Sequence, residues 1–238
     1  MKINIIKTGS SGNCIVATYS DKKQIIFDFG KGVFKDFTLA GGTFENVERV
    51  LISHAHNDHI GDFEKIYHLN KKPSELKILR FPILHNIENY GFAVANFATK
   101  EIFYYLTDFY EVPEDSKEVI KKCLRMHNFK HFASIELSYF KFFEDKLSEE
   151  QKYGLKHHCD DVYFFELVKE FLAENPKLNI VTLHASQRSD LSTFTKTGWN
   201  GSVCPPDFAK KMLYRRVGVN ARFGEAGGFI KNYNYFED

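Results

Sequence analysis

The stretch His54-Ala55-His56-Asn57-Asp58-His59 sets three imidazoles and a carboxylate within six residues, directly after the apolar run Val50-Leu51-Ile52. A short apolar run of this kind reads as a strand, here Asn46 to Ser53, so the cluster occupies the loop that leaves it. In an extended chain positions 54, 56 and 58 point the same way and converge on one small volume. His59 then reaches that volume from the first turn of a following helix. Imidazole nitrogens and carboxylate oxygens together suit borderline and hard divalent cations. The loop is therefore expected to hold a metal, the alternative being a solvated histidine-rich loop. Ile60 to Leu69, with Ile60, Phe63, Ile66 and Tyr67 on one stripe, reads as a helix starting just after the cluster.

Strands are expected on either side. Lys2 to Thr8, Cys14 to Tyr19 and Gln24 to Phe29 form a β-meander punctuated by Gly9-Ser10-Ser11-Gly12-Asn13. Lys77 to Phe81, Tyr90 to Phe97 and Glu101 to Thr107 follow as strands. Helical periodicity then takes over in Glu114 to Met126, Tyr139 to Tyr153 and Asp160 to Glu174, before a strand at Leu178 to Leu183. No repeat or linker divides the chain, so residues 1–238 are expected to form a single domain. Two β-rich runs, each followed by helices, suggest an α+β fold arranged as a four-layer αββα sandwich.

Composition narrows the function. With 43% hydrophobic and 16% aromatic residues the chain can build a sizeable core, which excludes disorder as its main state. Its 32 basic and 31 acidic side chains leave a net charge of +1, which argues against holding long nucleic acid mainly through phosphate neutralisation. No apolar run is long enough to span a bilayer and the N-terminus lacks a signal-peptide core, so a cytoplasmic location without membrane association is expected. Cys14, Cys123, Cys159 and Cys204 form no CxxC pair and read as buried free thiols. His68, His127 and His131 read as surface residues.

Ser53-His54-Ala55-His56-Asn57-Asp58-His59-Ile60-Gly61 resembles the HxHxDH signature of the metallo-β-lactamase superfamily. Asp28, ending Ile25-Ile26-Phe27, is similar to the strand-end aspartate that braces that loop in the family. Gly9-Ser10-Ser11-Gly12-Asn13-Cys14 resembles the opening of the YycJ/WalJ-like branch, and His184-Ala185-Ser186-Gln187-Arg188 the HxSxR ending of RNase Z-like members. The resemblance implies the four-layer metallo-β-lactamase sandwich and two divalent ions, Zn²⁺ with Mn²⁺ also compatible. One ion would be held by His54, His56, His85 and Asp108, the second by Asp58, His59, Asp108 and His184, with Asp108 bridging. Asp58 then belongs to the catalytic set.

Lys156-His157-His158-Cys159-Asp160 resembles the histidine-bearing stretch of phosphodiesterase branches, where a histidine protonates the leaving oxygen or binds a phosphate oxygen. His158 is the candidate, with His157 the alternative. Glu136 lies where YycJ-like proteins carry a glutamate followed by Asn-His-Asp, but here Leu-Ser-Tyr follows; Glu136 either orients His158 or ends its strand in a salt bridge. Ser186 and Arg188 are candidate phosphate-binding residues. The implied activity is a binuclear phosphodiesterase. Near-neutral charge and the lack of the long helical arm of RNase Z favour a small 3′,5′-cyclic mononucleotide, as in RNase Z-like phage enzymes that defeat Pycsar signalling and act in the host cytoplasm. A YycJ/WalJ-like DNA exonuclease is the alternative, and a non-catalytic metal-stabilised binding protein a remote one. The rings of Phe103, Tyr104, Tyr105, Phe109 and Tyr110 either stack a base or pack the core. RNase Z-like enzymes commonly form homodimers, for which Trp199, Phe208, Tyr233, Tyr235 and Phe236 are apolar anchors.

Overall fold

Alternation within nearly continuous apolar strands requires two sheets covered on both faces, and the computed structural model shows them. It describes residues 1–71, 74–139, 141 and 148–183, with a short further strand at Arg222–Phe223. Strands β1 (Lys2–Lys7), β2 (Cys14–Thr18), β3 (Gln24–Phe27) and β4 (Val47–Leu51) form one sheet in that order. The first three pair antiparallel as the expected meander, and β4 runs parallel to β3. The second sheet comprises β5 (Lys77–Ile83), β6 (Asn89–Asn96), β7 (Glu101–Leu106), β8 (Lys130–Glu136), β9 (Asn179–Leu183) and β10 (Arg222–Phe223), neighbours in sequence order. Here β7, β8, β9 and β10 are mutually parallel.

The period of two sorts each strand between neighbouring layers. Ile15, Ala17, Ile25 and Phe27 face Phe92, Val94, Phe103 and Tyr105 across the space between the sheets. Their neighbours Cys14, Val16 and Ile26 face outward onto Val33 and Phe37 of α1 (Val33–Leu39). Ile102, Tyr104 and Leu106 of β7 face the other way, onto Ile120 and Leu124 of α3 (Glu114–Leu124) and Phe164, Val168 and Phe171 of α5 (Asp161–Glu174). Between these helices in sequence come α2 (Asn57–Ile60) and α4 (Glu149–Leu155). The layers are thus αββα, as expected.

Several local expectations are corrected. The helix foreseen over Ile60 to Leu69 is instead the short α2, which includes His59, followed by 3-10 turns at Phe63–Lys65 and Tyr67–Lys71. Tertiary packing decides this. A Cβ on Gly61 would lie 2.5 Å from the Asn57 oxygens and 2.9 Å from the Lys31 nitrogen, so the segment turns tightly against the loop after β3. Ile66 and Leu69 are buried at the spacing of a 3-10 helix, whereas Tyr67 is exposed. Tyr139 is not the start of a helix but bridges Asp160, and the helix described in that region is α4. Helix α1 was not foreseen, and of strand β8 only its end at Glu136 was. His131 is not a surface residue: it lies buried on β8, 3.0 Å from the Tyr104 hydroxyl and 3.1 Å from the Met126 carbonyl. Cys14 and Cys159 are buried free thiols, but Cys123 is half-buried. Phe103, Tyr104, Tyr105 and Phe109 pack the core, so of the five aromatics weighed for stacking only Tyr110 is exposed. No helix among the described residues is long and apolar enough to cross a membrane.

Candidate metal centre

The site forms where parallel strands of the two sheets end. Strand β3 ends at Phe27 and delivers Asp28; β4 ends at Leu51 and leads to Ser53 and the histidine loop; β7 ends at Leu106 and delivers Asp108. Both aspartates take left-handed backbone, with φ 57° at Asp28 and 51° at Asp108, a conformation that aspartate tolerates better than most side chains. Each turns its carboxylate at a strand end.

Asp28 is fully buried and braces the loop. Its Oδ1 accepts from the Ser53 amide at 2.7 Å, and its Oδ2 accepts from the Ser53 hydroxyl at 2.9 Å and the Tyr105 hydroxyl at 2.7 Å. Oδ2 also meets His59 Nδ1 at 2.7 Å. On the opposite side the Gly-Ser-Ser-Gly-Asn turn clasps the same loop: the Asn13 amide donates to the Asp58 carbonyl at 2.7 Å, and its side-chain Nδ2 lies 3.3 Å from Asp58 Oδ2 and 2.8 Å from His59 Nε2. Gly30 lets the chains meet, since a Cβ there would fall 1.8 Å from the Asp58 carbonyl oxygen. Asn89 braces the third element by donating to the carbonyls of Thr107 at 2.9 Å and Asp108 at 2.5 Å.

These braces aim one atom of each ligand candidate at a common point. His54 Nδ1 is engaged by the Ser53 hydroxyl at 2.9 Å, His59 Nδ1 by Asp28, and His85 Nδ1 by the His157 carbonyl at 3.0 Å. A histidine whose far nitrogen is thus committed offers the other in a fixed tautomer and orientation, the arrangement that metal ligands need. His54 Nε2 lies 3.0 Å from His56 Nδ1, His85 Nε2 lies 3.4 Å from the same atom, and Asp108 Oδ2 is 3.4 Å from His54 Nε2 and 3.1 Å from His59 Nε2. Two groups result, His54–His56–His85–Asp108 and Asp58–His59–Asp108, each with ligand atoms within 4.8 Å of one another and both containing Asp108.

The electrostatics agree with the chemistry of the donor set. Burial, aided by neighbouring His59, holds His54 neutral with its pKa down to about 3, and burial also lowers that of His85. Burial opposes a charge on His59, but the Asp108 and Asp28 carboxylates outweigh it and lift its pKa well above the usual histidine range. Imidazoles converging beside carboxylates are a fit for divalent cations, whose binding would compete with protonation of His59.

A third cluster adjoins the first two. His158 Nδ1 is 2.7 Å from Glu136 Oε1, and Glu136 Oε2 accepts from the Phe109 amide at 2.8 Å. The Ser138 hydroxyl also donates to Glu136. Burial opposes protonation of His158, but Glu136 outweighs it and raises the pKa to about 9. Asp108, Glu136 and His158 offer atoms within 4.8 Å of one another. His157 also lines the cleft, with its backbone carbonyl on His85 Nδ1 and its ring centroid 6.3 Å from that of His85. The centre opens into a cleft of about 480 Å³ lined by His56, Asp58, His85, Asp108, His157 and His158, among others.

The structure therefore brings together His54, His56, Asp58, His59, His85, Asp108, Glu136, His158 and the brace Asp28. Strand β9 ends at Leu183, which pairs with Glu136. His184, Ser186, Arg188, Cys204 and the apolar anchors Trp199, Phe208, Tyr233, Tyr235 and Phe236 lie outside the described residues. Sequence reasoning missed Asn13, Asn89, Tyr105 and Ser138 as supports. The Asn13 turn was noticed, but nothing local signals that its side chain reaches a loop 45 residues away.

Comparison with known proteins bears on the fold and on the N-terminal part of the chain. Residues 6–89 match the family model described as anti-Pycsar protein Apyc1. The anti-Pycsar protein Apyc1 of Bacillus phage vB_BveM-Goe7 is 30% identical over 76 residues, and the matched stretch covers 29% of each chain. Among solved structures, the metallo-β-lactamase fold protein YhfI from Bacillus subtilis superposes with a TM-score of 0.63 at 11% identity, covering 95% of this chain and 97% of that one. The short form of human tRNase Z gives a TM-score of 0.56 at 14% identity, covering 79% and 94%. The chain is a metallo-β-lactamase-fold protein, and its histidine cluster lies within the segment that matches the Apyc1 family.

Proposed function

We propose that this protein is a binuclear metal-dependent phosphodiesterase whose favoured substrate is a 3′,5′-cyclic mononucleotide. The observation that carries the reading is the adjacency of two ligand groups sharing Asp108 to the Glu136–His158 pair, in one cleft. His54, His56, His85 and Asp108 would hold one divalent ion, Asp58, His59 and Asp108 the other, with His184 completing the second set by resemblance. Zn²⁺ fits this nitrogen and oxygen donor set, and Mn²⁺ is compatible with it. When bound, such a pair supplies charge stabilisation for a phosphodiester and lowers the pKa of water.

The chain's own residues do the rest. Glu136 fixes the His158 ring through Nδ1 and keeps it protonated at neutral pH. His158 lines the cleft beside Asp108, placed to give its proton to a departing ribose oxygen. Asp28, through Ser53 and His59, and Asn13, through the Asp58 loop, hold the ligands in place. A cleft of about 480 Å³ suits a mononucleotide. The matched phage relative is by name an anti-Pycsar protein, which supports action on a small immune signal in the cytoplasm, the host's if the chain is phage-encoded. A symmetric homodimer is part of this proposal.

The test is a side-by-side assay of cyclic CMP, UMP, AMP and GMP against single- and double-stranded DNA and RNA at matched metal and protein. Fast opening of the cyclic nucleotides with slow nuclease activity supports the reading. Processive DNA degradation with the cyclic substrates untouched assigns an exonuclease instead. A pure binding protein shows no hydrolysis of bis-p-nitrophenyl phosphate above a His54→Ala, Asp58→Ala control.

A further inference from the structure

Tyr153 is 68% exposed, although α4 sets it at the edge of the cleft, which it lines together with Gly154 and His157. The Lys156 ammonium lies 3.9 Å from the centroid of its ring, a cation–π contact that fixes the ring from one side. Gly154 puts no side chain beside it. His157, four residues further on, lines the same rim, and its ring centroid is 6.0 Å from that of Tyr110, which is 39% exposed. An aromatic rim thus borders a floor made of imidazoles and carboxylates, and among the described residues the lining includes no arginine or lysine.

We propose that Tyr153 is the stacking surface for the substrate's nucleobase, with Lys156 as its positioning partner. The inference rests on the nucleotide reading above and goes beyond it by saying how the base is held. An exposed ring at a polar cleft has apolar area to bury, and a base offers a flat face that fits it. Every base has such a face, so recognition by stacking tolerates all four and favours the larger purines. The phosphate chemistry at Asp108 and His158 then proceeds alike for each.

The test measures binding by metal-loaded protein of AMP, CMP and inorganic phosphate, using titration calorimetry. Tyr153→Ala is expected to weaken AMP about tenfold, or about 1.4 kcal/mol, while phosphate affinity changes less than about twofold. Tyr153→Phe keeps the ring and stays within about twofold of the wild type for AMP. Lys156→Met gives an intermediate loss of about threefold, and AMP binds more tightly than CMP in the wild type but not in Tyr153→Ala. Equal losses of AMP and phosphate in Tyr153→Ala, or no loss of either, overturn the stacking role. Wild-type protein that hydrolyses bis-p-nitrophenyl phosphate yet binds neither AMP nor CMP overturns the nucleotide reading itself, and the stacking role with it.

Discussion

Replacing Asp28 by asparagine isolates the charge that braces the histidine loop. Asparagine tolerates the left-handed φ of 57° at this position, so the backbone contributes little to the outcome. The amide oxygen can still accept from the Ser53 backbone. The amide nitrogen, however, replaces the Oδ2 that meets the Ser53 hydroxyl, the Tyr105 hydroxyl and His59 Nδ1 at 2.9, 2.7 and 2.7 Å. Hydrogen bonds to a charged group contribute roughly 1.5–3 kcal/mol each. The two hydroxyls can rotate to accept, so the net loss is nearer the cost of one or two such bonds, about 3 kcal/mol. Freed from its brace, the His59 ring should also bind metal about 10- to 100-fold less tightly. Urea unfolding of the metal-free protein and a chelator-competition titration measure the two effects. Tyr105→Phe, which removes one donor, should cost about 1.5–3 kcal/mol and leave metal affinity much closer to wild type. If Asp28→Asn unfolds within about 0.5 kcal/mol of wild type and keeps its metal affinity within about twofold, the bracing argument is wrong.

Three further outcomes are expected. Gly30→Ala places a Cβ 1.8 Å from the Asp58 carbonyl oxygen and 2.3 Å from its carbon, backbone atoms that cannot swing aside, so it should lose about 2 kcal/mol or more and weaken metal binding; unchanged unfolding would contradict the packing described. In the metal-free protein Glu136→Gln removes the partner that raises His158 to about 9, and a raised folded pKa stabilises below the unfolded value near 6.5 and loses that effect as pH climbs through about 9. The stability gap between wild type and variant, of order 3 kcal/mol at pH 6, should therefore shrink by pH 9.5; a gap that is flat with pH denies the pairing. His158→Ala should keep its metal but slow turnover roughly a hundredfold, with partial survival on a leaving group that needs no proton; if His157→Ala does this instead, the acid is assigned one residue too late.

What the sequence disclosed, and what it hid, follow from range of interaction. The candidate cluster His54 to His59 was legible because its members are adjacent, whereas Asp28 and Asp108, single acids at the ends of apolar strands, were singled out through the family resemblance. The helix after the cluster was misplaced because Gly61 is pressed against the loop at Lys31, a contact that local periodicity does not contain. Of strand β8 only the end at Glu136 was recognised, because His131 and Ser134 interrupt its apolar run, although both are buried in a central parallel position. The Glu136–His158 pairing was one of two readings left open for Glu136; that they meet at 2.7 Å is a product of β8 and the turn before α5 ending side by side.

If the two overlapping ligand groups each hold an ion, the centre is binuclear. Elemental analysis of protein purified with metal replete throughout tests it most directly. Close to two divalent ions per chain are predicted, with Asp108→Ala losing the pair together because it removes the shared ligand. One ion or none in the wild type, or an Asp108→Ala protein that still carries two, would contradict the binuclear centre.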